Sequence, residues 1–335
     1  MQYKALGKTG LRISAVGFGG IPIQRTRKED THALLRAVRD AGINYIDTAR
    51  AYTVSEAWIG EAIHDMRGDF ILATKSMART RADMERDISV SLENLQTDHI
   101  ELYQVHNPSM EQLDTVCAPG GALEALLAAK AAGKIGHIGL TAHSLAVFER
   151  ALTLDWVETI MFPYNIVETQ GEALIARCAE KNVGFIAMKP LAGGAIEDGR
   201  LAMRFIARNP AVTVVIPGMY SPEEVRINTE AAADITPLTE KETEEIAGVR
   251  RVLGENFCRR CNYCAPCTVG ISIPSVFLFA GYLERYGLTG WAHERYATLK
   301  VKASACIGCG KCETRCPYHL PIREMLKRSA AEFGE

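Results

Sequence analysis

Two groups of residues in this chain have types and spacings that could do chemistry. The first is a crowd of thiols. Of ten cysteines, eight fall in two runs after residue 257: Cys258, Cys261, Cys264 and Cys267, then Cys306, Cys309, Cys312 and Cys316. Thiols spaced by two residues can close on one metal centre. A chain of 335 residues is long enough to bury a core without disulfide staples, so metal ligation is the expected use. The second group is Asp47, Tyr52, Lys75 and His106. A carbonyl being reduced needs a hydride donor at one face and a proton donor at its oxygen, where negative charge develops. Tyr52 is the candidate proton donor. A neighbouring ammonium, Lys75, would stabilise its phenolate, Asp47 would keep that ammonium charged, and His106 would orient or donate to the carbonyl oxygen.

These four side chains converge only if the elements carrying them are arranged to bring them together. An opening hairpin is expected from Tyr3 to Leu6 and Arg12 to Ser14. Eight β-rich runs follow: Ala15 to Gly19, Tyr45 to Asp47, Phe70 to Thr74, Glu101 to Val105, His137 to Leu140, Thr159 to Pro163, Gly184 to Met188 and Thr213 to Ile216. Between them lie helical patterns such as Lys28 to Ala41, Arg81 to Leu95, Ala122 to Ala132, Gly171 to Lys181 and Ser221 to Ala233. Eight β-then-α units fit an α/β fold of the (β/α)8 TIM-barrel type, with the hairpin plugging its bottom. In such barrels function sits just after the strands. Those positions are polar here: Asp47, Lys75, His106, Thr141 with His143, Asn165 and Lys189. From Pro237 the pattern changes to a charged amphipathic helix opened by Thr239 with Glu242 three residues on. The expected organisation is a barrel over 1–237, a helical connector over 238–256 and a small cysteine-rich domain over 257–335.

Composition narrows the functions available. Thirty-eight Lys and Arg against forty Asp and Glu offer no overall pull toward nucleic acid or an anionic membrane. No apolar stretch approaches a membrane span, and the N-terminus does not read as a signal peptide, so a cytoplasmic protein is expected.

The stretches NYIDTARAY, ILATKS and LYQVHNP resemble the aldo/keto reductase superfamily, as do LGKTGLRISAVGFGG, GKIGHIGLTAHS and VVIPGMYSPEEVRIN. The resemblance covers roughly residues 1 to 240. It assigns the family's Asp, Tyr, Lys and His tetrad to Asp47, Tyr52, Lys75 and His106, and it implies NAD(H) or NADP(H) as coenzyme. On the coenzyme side the chain departs from the family. Thr141-Ala142 replaces Ser-Asn, Met161 replaces a glutamine, and Met188 replaces the tyrosine that stacks on nicotinamide. Gly218-Met219 and Glu224 stand where Lys-Ser and Arg grip a 2′-phosphate, and only Asn228 is retained as an adenine contact. The missing cations favour NADH over NADPH. The altered nicotinamide contacts keep a flavin as an alternative.

Cys306, Cys309, Cys312 and Cys316-Pro317 match the bacterial ferredoxin run, whose fourth thiolate crosses to a second [4Fe–4S] cluster. By that pattern one cluster takes Cys258, Cys261, Cys264 and Cys316, and the other takes Cys306, Cys309, Cys312 and Cys267. Zinc is the competing metal. Cys178 reads as a buried helical thiol, and Cys117 falls in a loop without an assigned role. The whole chain resembles aldo/keto reductases carrying a C-terminal ferredoxin-like, two-cluster domain. Its expected function is an oxidoreductase that interconverts a small-molecule carbonyl and alcohol, with clusters exchanging electrons with a carrier protein. The alternatives are a flavin-mediated enzyme fed by the clusters, and an electron-transfer or interaction subunit with an inactive barrel. Tyr164, His143, Trp58 and the loop 107–119 are candidates for the pocket rim.

Overall fold

A computed structural model describes residues 1–335. By its contacts the chain divides into two units. The first comprises Met1–Asn165, Thr169–Pro190 and Asp198–Pro237. The second comprises Leu238–Glu335 together with Ile166–Glu168 and Leu191–Glu197.

The first unit opens with a hairpin of β1 (Tyr3–Ala5) and β2 (Arg12–Ser14). Eight parallel strands follow: β3 (Phe18–Gly19), β4 (Tyr45–Asp47), β5 (Ile71–Ser76), β6 (Ile100–His106), β7 (Ile135–Thr141), β8 (Thr159–Pro163), β9 (Gly184–Met188) and β10 (Val214–Ile216). They pair in chain order, and bridges from Val16 to Val215 and Gly19 to Gly218 close the barrel. The first barrel strand is shorter than the expected Ala15 to Gly19, because Val16 pairs only through one isolated bridge. Around the strands run α1 (Lys28–Asp40), α2 (Ser55–Ala62), α3 (Arg81–Asn94), α4 (Met110–Cys117), α5 (Ala122–Ala131), α6 (Leu145–Ala151), α7 (Glu172–Glu180), α8 (Gly199–Ala207) and α9 (Pro222–Ala233). The segment 107–119 is therefore mostly helix. Ser109 accepts from the Gln112 N–H while the Gln112 side chain accepts from the Ser109 N–H, and Cys117 is the last residue of α4.

Two apolar shells hold the barrel. The inner one contains Leu6, Ile13, Tyr45, Ala73, Leu102, Met161, Ile186, Met188, Val214 and Ile216. Leu6 and Ile13 come from the hairpin, so the hairpin does plug one end. Its turn fits only because Gly7 and Gly184 lack side chains: a Cβ on Gly7 would lie 2.2 Å from the Gly184 nitrogen, and Gly7 also has φ +53°. The outer shell, between strands and helices, includes Phe18, Leu35, Ile46, Leu72, Tyr103, Phe148, Phe162 and Phe185, with Trp58 packed against it. Cys178 is buried in this shell.

Strand alternation decides which side chains point into the barrel. Tyr45 and Asp47 share a face of β4, Ala73 and Lys75 a face of β5, and Leu102, Gln104 and His106 a face of β6. Apolar members of each set lie in the inner shell, so their polar partners lie on the same side nearer the strand ends. The outward face carries a second polar node. Glu56, 1% exposed, accepts from Arg50 at 2.7 Å, Thr74 at 2.7 Å, Ser91 at 2.8 Å and Asn94 at 3.1 Å. It ties α2 and α3 to β5 and to the segment leading into Tyr52.

The second unit contains α10 (Glu240–Gly254), α11 (Ile273–Glu284), α12 (Thr289–Ala297), α13 (Lys311–Thr314) and α14 (Ile322–Glu332). Helix α10 begins with the capping box of Thr239 and Glu242, and it groups with this unit rather than standing apart as a connector. The unit has its own core, in which Val276, Phe277, Ala292, Leu320, Ile322 and Leu326 pack with Cys264, Cys312 and Cys316. Tyr296 stacks on Phe333 at 3.8 Å. No helix in either unit is long and apolar enough to cross a membrane.

Removing the carboxylate of Glu56 leaves the half-buried Arg50 guanidinium without its ion partner and takes an acceptor from Thr74, Ser91 and Asn94. Glu56→Ala is expected to cost about 3 kcal/mol of stability in denaturant unfolding. A loss under about 0.5 kcal/mol would contradict this account of the node.

Candidate active site and cluster ligands

The inward polar tier is built around one ion pair. Lys75 Nζ donates to Asp47 Oδ2 at 2.5 Å and to the Thr48 carbonyl at 2.7 Å. Both side chains are nearly closed to solvent, at 2% and 3% exposure. Gln104 Nε2 donates to the other Asp47 oxygen at 3.3 Å. Burial pushes the Asp47 carboxyl up and the Lys75 ammonium down, and each is opposed by the charge of the other. Parallel register sets this geometry: Asp47 pairs with Ala73, and Lys75 pairs with Gln104.

Tyr52 lies on the segment between β4 and α2, half-buried. The Lys75 ammonium stands 4.9 Å from its ring centroid, and the His106 ring meets it edge-on at 6.3 Å. The structure thus brings all four residues of the expected tetrad together. Burial holds His106 well below the usual imidazole range, reinforced by the charges of Lys75, Arg79 and Lys189. Its Nδ1 is buried without a hydrogen-bond partner. Arg79 was not among the residues the sequence singled out. Its Nη2 donates to the His106 carbonyl at 2.8 Å, and burial lowers its pKa to about 10.

The expected coenzyme contacts have mixed placements. Thr141 ends β7, with its hydroxyl accepting from the Asn107 N–H at 2.9 Å. Met161 and Met188 belong to the inner apolar shell. Gly218 follows β10 in a tight place, where a Cβ would meet Pro22 Cγ at 2.7 Å. The Glu224 carboxylate accepts from the Tyr220 N–H at 2.7 Å, and the Asn228 amide donates to the Glu224 carbonyl at 2.8 Å. Both are engaged at the start of α9. A cation from elsewhere in the sequence approaches: the Arg25 guanidinium lies 4.9 Å from the centroid of the exposed Tyr220 ring. Tyr164, a candidate for the pocket rim, is instead 3% exposed, with its hydroxyl donating to Glu172 and accepting from Asn209.

In the second unit the cysteines fall into two neighbourhoods. Cys258 lies within charge range of Cys261 and Cys316, Cys261 within range of Cys316, and Cys264, which burial affects most, within range of Cys258, Cys261 and, more weakly, Cys312. Cys267, Cys306, Cys309 and Cys312 line one cavity together. In the first neighbourhood burial pushes the Cys258 thiol up to about 11 and Cys264 up to about 12. Thiols so placed ionise only beside added positive charge, which iron would supply. Gly308 and Gly310, at φ +70° and +73°, have open space where a Cβ would point. The all-thiol donor set and this open backbone fit a cluster that is bulkier than one ion. No three His, Cys, Asp or Glu side chains converge tightly enough to hold a single metal ion.

Buried guanidiniums flank the first neighbourhood. Arg259 lies 3.8 Å over the Tyr318 ring and donates to the Val167 carbonyl, and Arg260 pairs with the fully buried Glu168 at 3.5 Å. Sequence spacing gave no hint of these partners, since they are about 60 to 90 residues away.

Residues 15–200 match the model of the aldo/keto reductase family, and residues 257–321 match the 4Fe-4S dicluster domain. The chain belongs to the aldo/keto reductase family and carries a C-terminal 4Fe–4S domain. It is 28% identical over 294 residues to L-galactose dehydrogenase of Arabidopsis thaliana, covering 71% of this chain and 90% of that protein. It is 32% identical over 201 residues to the aldo-keto reductase YhdN of Bacillus subtilis, covering 54% of this chain and 59% of that one. Among solved structures, it is similar to an aldo-keto reductase from Bacillus halodurans in its holo form. There the TM-score is 0.65 at 26% identity, covering 74% of this chain and 96% of the other. An aldo-keto reductase from Klebsiella pneumoniae in complex with NADPH matches with TM-score 0.63 at 25% identity, over 75% and 95% of the two chains. The protein is an oxidoreductase of this family.

The depressed His106 predicts a pH dependence. A histidine whose folded pKa lies below its unfolded value of about 6.5 contributes destabilisation as pH falls through that value, because the unfolded chain then binds the extra proton. Its ring should stay neutral at pH 6 when followed by NMR. Between pH 7 and 5 the protein should lose more stability than a His106→Asn variant does. A ring that titrates near 6.5 would refute the assignment.

Proposed function

We propose that the barrel interconverts a small-molecule carbonyl and alcohol with a nicotinamide coenzyme, while two [4Fe–4S] clusters in the second unit exchange electrons with a carrier protein. The observation that carries the barrel half is the Lys75–Asp47 pair beneath Tyr52, with His106 at its edge. A reduced nicotinamide, when bound, supplies the hydride. The protein's own part is to move a proton. The Tyr52 phenol gives its proton to the carbonyl oxygen as negative charge grows there. The nearby Lys75 ammonium stabilises the phenolate left behind, and Asp47 keeps that ammonium charged in a site where burial alone would discharge it. His106, neutral at working pH, donates a hydrogen bond to the same oxygen and does not compete for the proton. In the reverse direction Tyr52 accepts the alcohol proton.

The ligand sets proposed for the clusters are Cys258, Cys261, Cys264 and Cys316 for one, and Cys267, Cys306, Cys309 and Cys312 for the other. The two neighbourhoods of thiols and the ferredoxin-type crossing pattern support this division. Clusters pass single electrons whereas nicotinamide passes a hydride, so linking the two halves needs a converter such as a flavin, or else the clusters serve a separate electron path. NADPH in the Klebsiella relative supports a nicotinamide coenzyme. The carboxylate of Glu224 favours NADH.

Tyr52→Phe is expected to lower kcat about 10²- to 10⁴-fold with little change in coenzyme affinity. Unchanged turnover would remove Tyr52 from the mechanism. Anaerobic purification followed by iron and sulfide analysis and coenzyme titration tests the rest. The expected result is about eight irons per chain, no flavin absorbance, and tighter NADH than NADPH. Tighter NADPH would overturn the NADH preference, and a flavin spectrum would overturn the simple nicotinamide scheme.

A further inference from the structure

The two cysteine neighbourhoods differ in how they meet solvent. Cys264 and Cys316 are each 8% exposed, inside the core of the second unit. In the other set Cys312 is likewise buried, but Cys309 is exposed, and its neighbours Pro266, Thr268, Ile307 and Gly308 are exposed with it. Ile307, 62% exposed, is an apolar tip at the edge of the cavity lined by Cys267, Cys306, Cys309 and Cys312. Gly308 and Gly310 present bare backbone at this edge, with open space where a Cβ would point, and the Thr268 hydroxyl lies 3.4 Å from the Cys309 sulfur.

Charge around this edge is one-sided. Arg323 borders both the cysteine cavity and an adjoining surface depression of about 740 Å³ that also takes in Gly308, Glu313, Glu324 and Lys327. Glu313 is tied to Arg323 at 2.8 Å, which cancels that pair. Lys311 and Lys327 are exposed and have no acidic partner, and Arg315 donates only to the Pro266 carbonyl. Glu324 is the one carboxylate left to oppose these three cations. The same bias runs through the segment as a whole. Residues 257–335 contain eleven Lys and Arg against six Glu and no Asp, whereas residues 1–256 contain 27 against 34. A basic rim around an apolar tip is suited to an acidic partner, since opposite charge steers encounter and the apolar contact excludes water at the point of transfer.

We infer that the face formed by Ile307, Cys309, Lys311 and Lys327 is the docking surface for an acidic one-electron carrier protein, and that the Cys267, Cys306, Cys309 and Cys312 cluster is the one it reaches. This deepens the reading above and rests on it. In the step concerned, the reduced carrier loses one electron and the oxidised cluster gains it, with no bond made or broken and no proton moved.

The test uses the full chain with its clusters reconstituted anaerobically and an acidic [2Fe–2S] ferredoxin, chemically reduced, as donor. Bleaching of the visible absorbance is followed by stopped flow. The second-order rate should fall about tenfold or more between low and physiological-to-high salt. Lys327→Glu should lower the low-salt rate several-fold, and Lys311→Glu with Lys327→Glu should lower it further, to about a tenth. Reduction of Lys327→Glu by the small donor methyl viologen should match the unsubstituted protein, showing that cluster and fold are intact. If the rate is indifferent to salt and to both substitutions, or if a basic carrier protein reacts equally fast, the docking surface is wrong. If the reconstituted chain holds no four-iron absorbance, the cluster reading itself fails, a result that iron analysis distinguishes before any carrier is added.

Discussion

The barrel site depends on a carboxylate and an ammonium held together where water cannot reach them. Asp47 and Lys75 each face a desolvation cost that their mutual attraction must offset, and a hydrogen bond from Gln104 and one to the Thr48 carbonyl complete the arrangement. Removing one partner from such a pair typically costs about 3 to 5 kcal/mol, because the other is left charged and buried. The pair therefore constrains β4, β5 and β6 as firmly as it serves Tyr52. Burial holds the His106 ring neutral, and the Lys75 ammonium of the pair adds to that effect.

The scaffold keeps this pair in place from both sides of the strands. Inside, Tyr45, Ala73 and Leu102 pack below the polar tier, and Leu6 and Ile13 from the hairpin close the end. Outside, the fully satisfied Glu56 fastens α2 and α3 to β5 one residue before Lys75. The second unit follows a different logic. Its apolar core is small and includes three cysteines, so the side chains that pack it are also the proposed ligands. Metal binding and folding are coupled where ligands and core coincide. The buried Arg259 and Arg260 add fixed positive charge beside thiolates, one of the levers by which proteins tune cluster potentials.

Much of this was legible residue by residue. Strands Thr159–Pro163 and Gly184–Met188 end where their β-rich runs end, because glycine and proline punctuate them. The capping box at Thr239 and Glu242 is a local bond with a local signature. The same signature, serine followed three residues later by glutamine, stood at Ser109 and Gln112, where a loop was expected and a helix forms. Tyr164 read as a rim residue because it follows a strand, yet its hydroxyl finds Glu172 and Asn209 and turns it into the core. Glu224 and Asn228 likewise find partners within α9 and its approach, which sequence position alone does not reveal.

By itself the sequence determined the kinds of chemistry available: three polar residues at strand ends with a tyrosine just beyond one of them, eight clustered thiols, and a strand alternation that sends Asp47, Lys75 and His106 to one side. Period-two geometry and residue type are local properties, so they can be read along the chain. The tertiary structure alone decided which groups meet. It set the strand register that brings Asp47 to Lys75. It also brought Arg79 to His106, Arg25 to Tyr220 and Arg260 to Glu168. Those partners are far apart in sequence, and only closure of the barrel and folding of the second unit bring them within reach of a hydrogen bond or a charge.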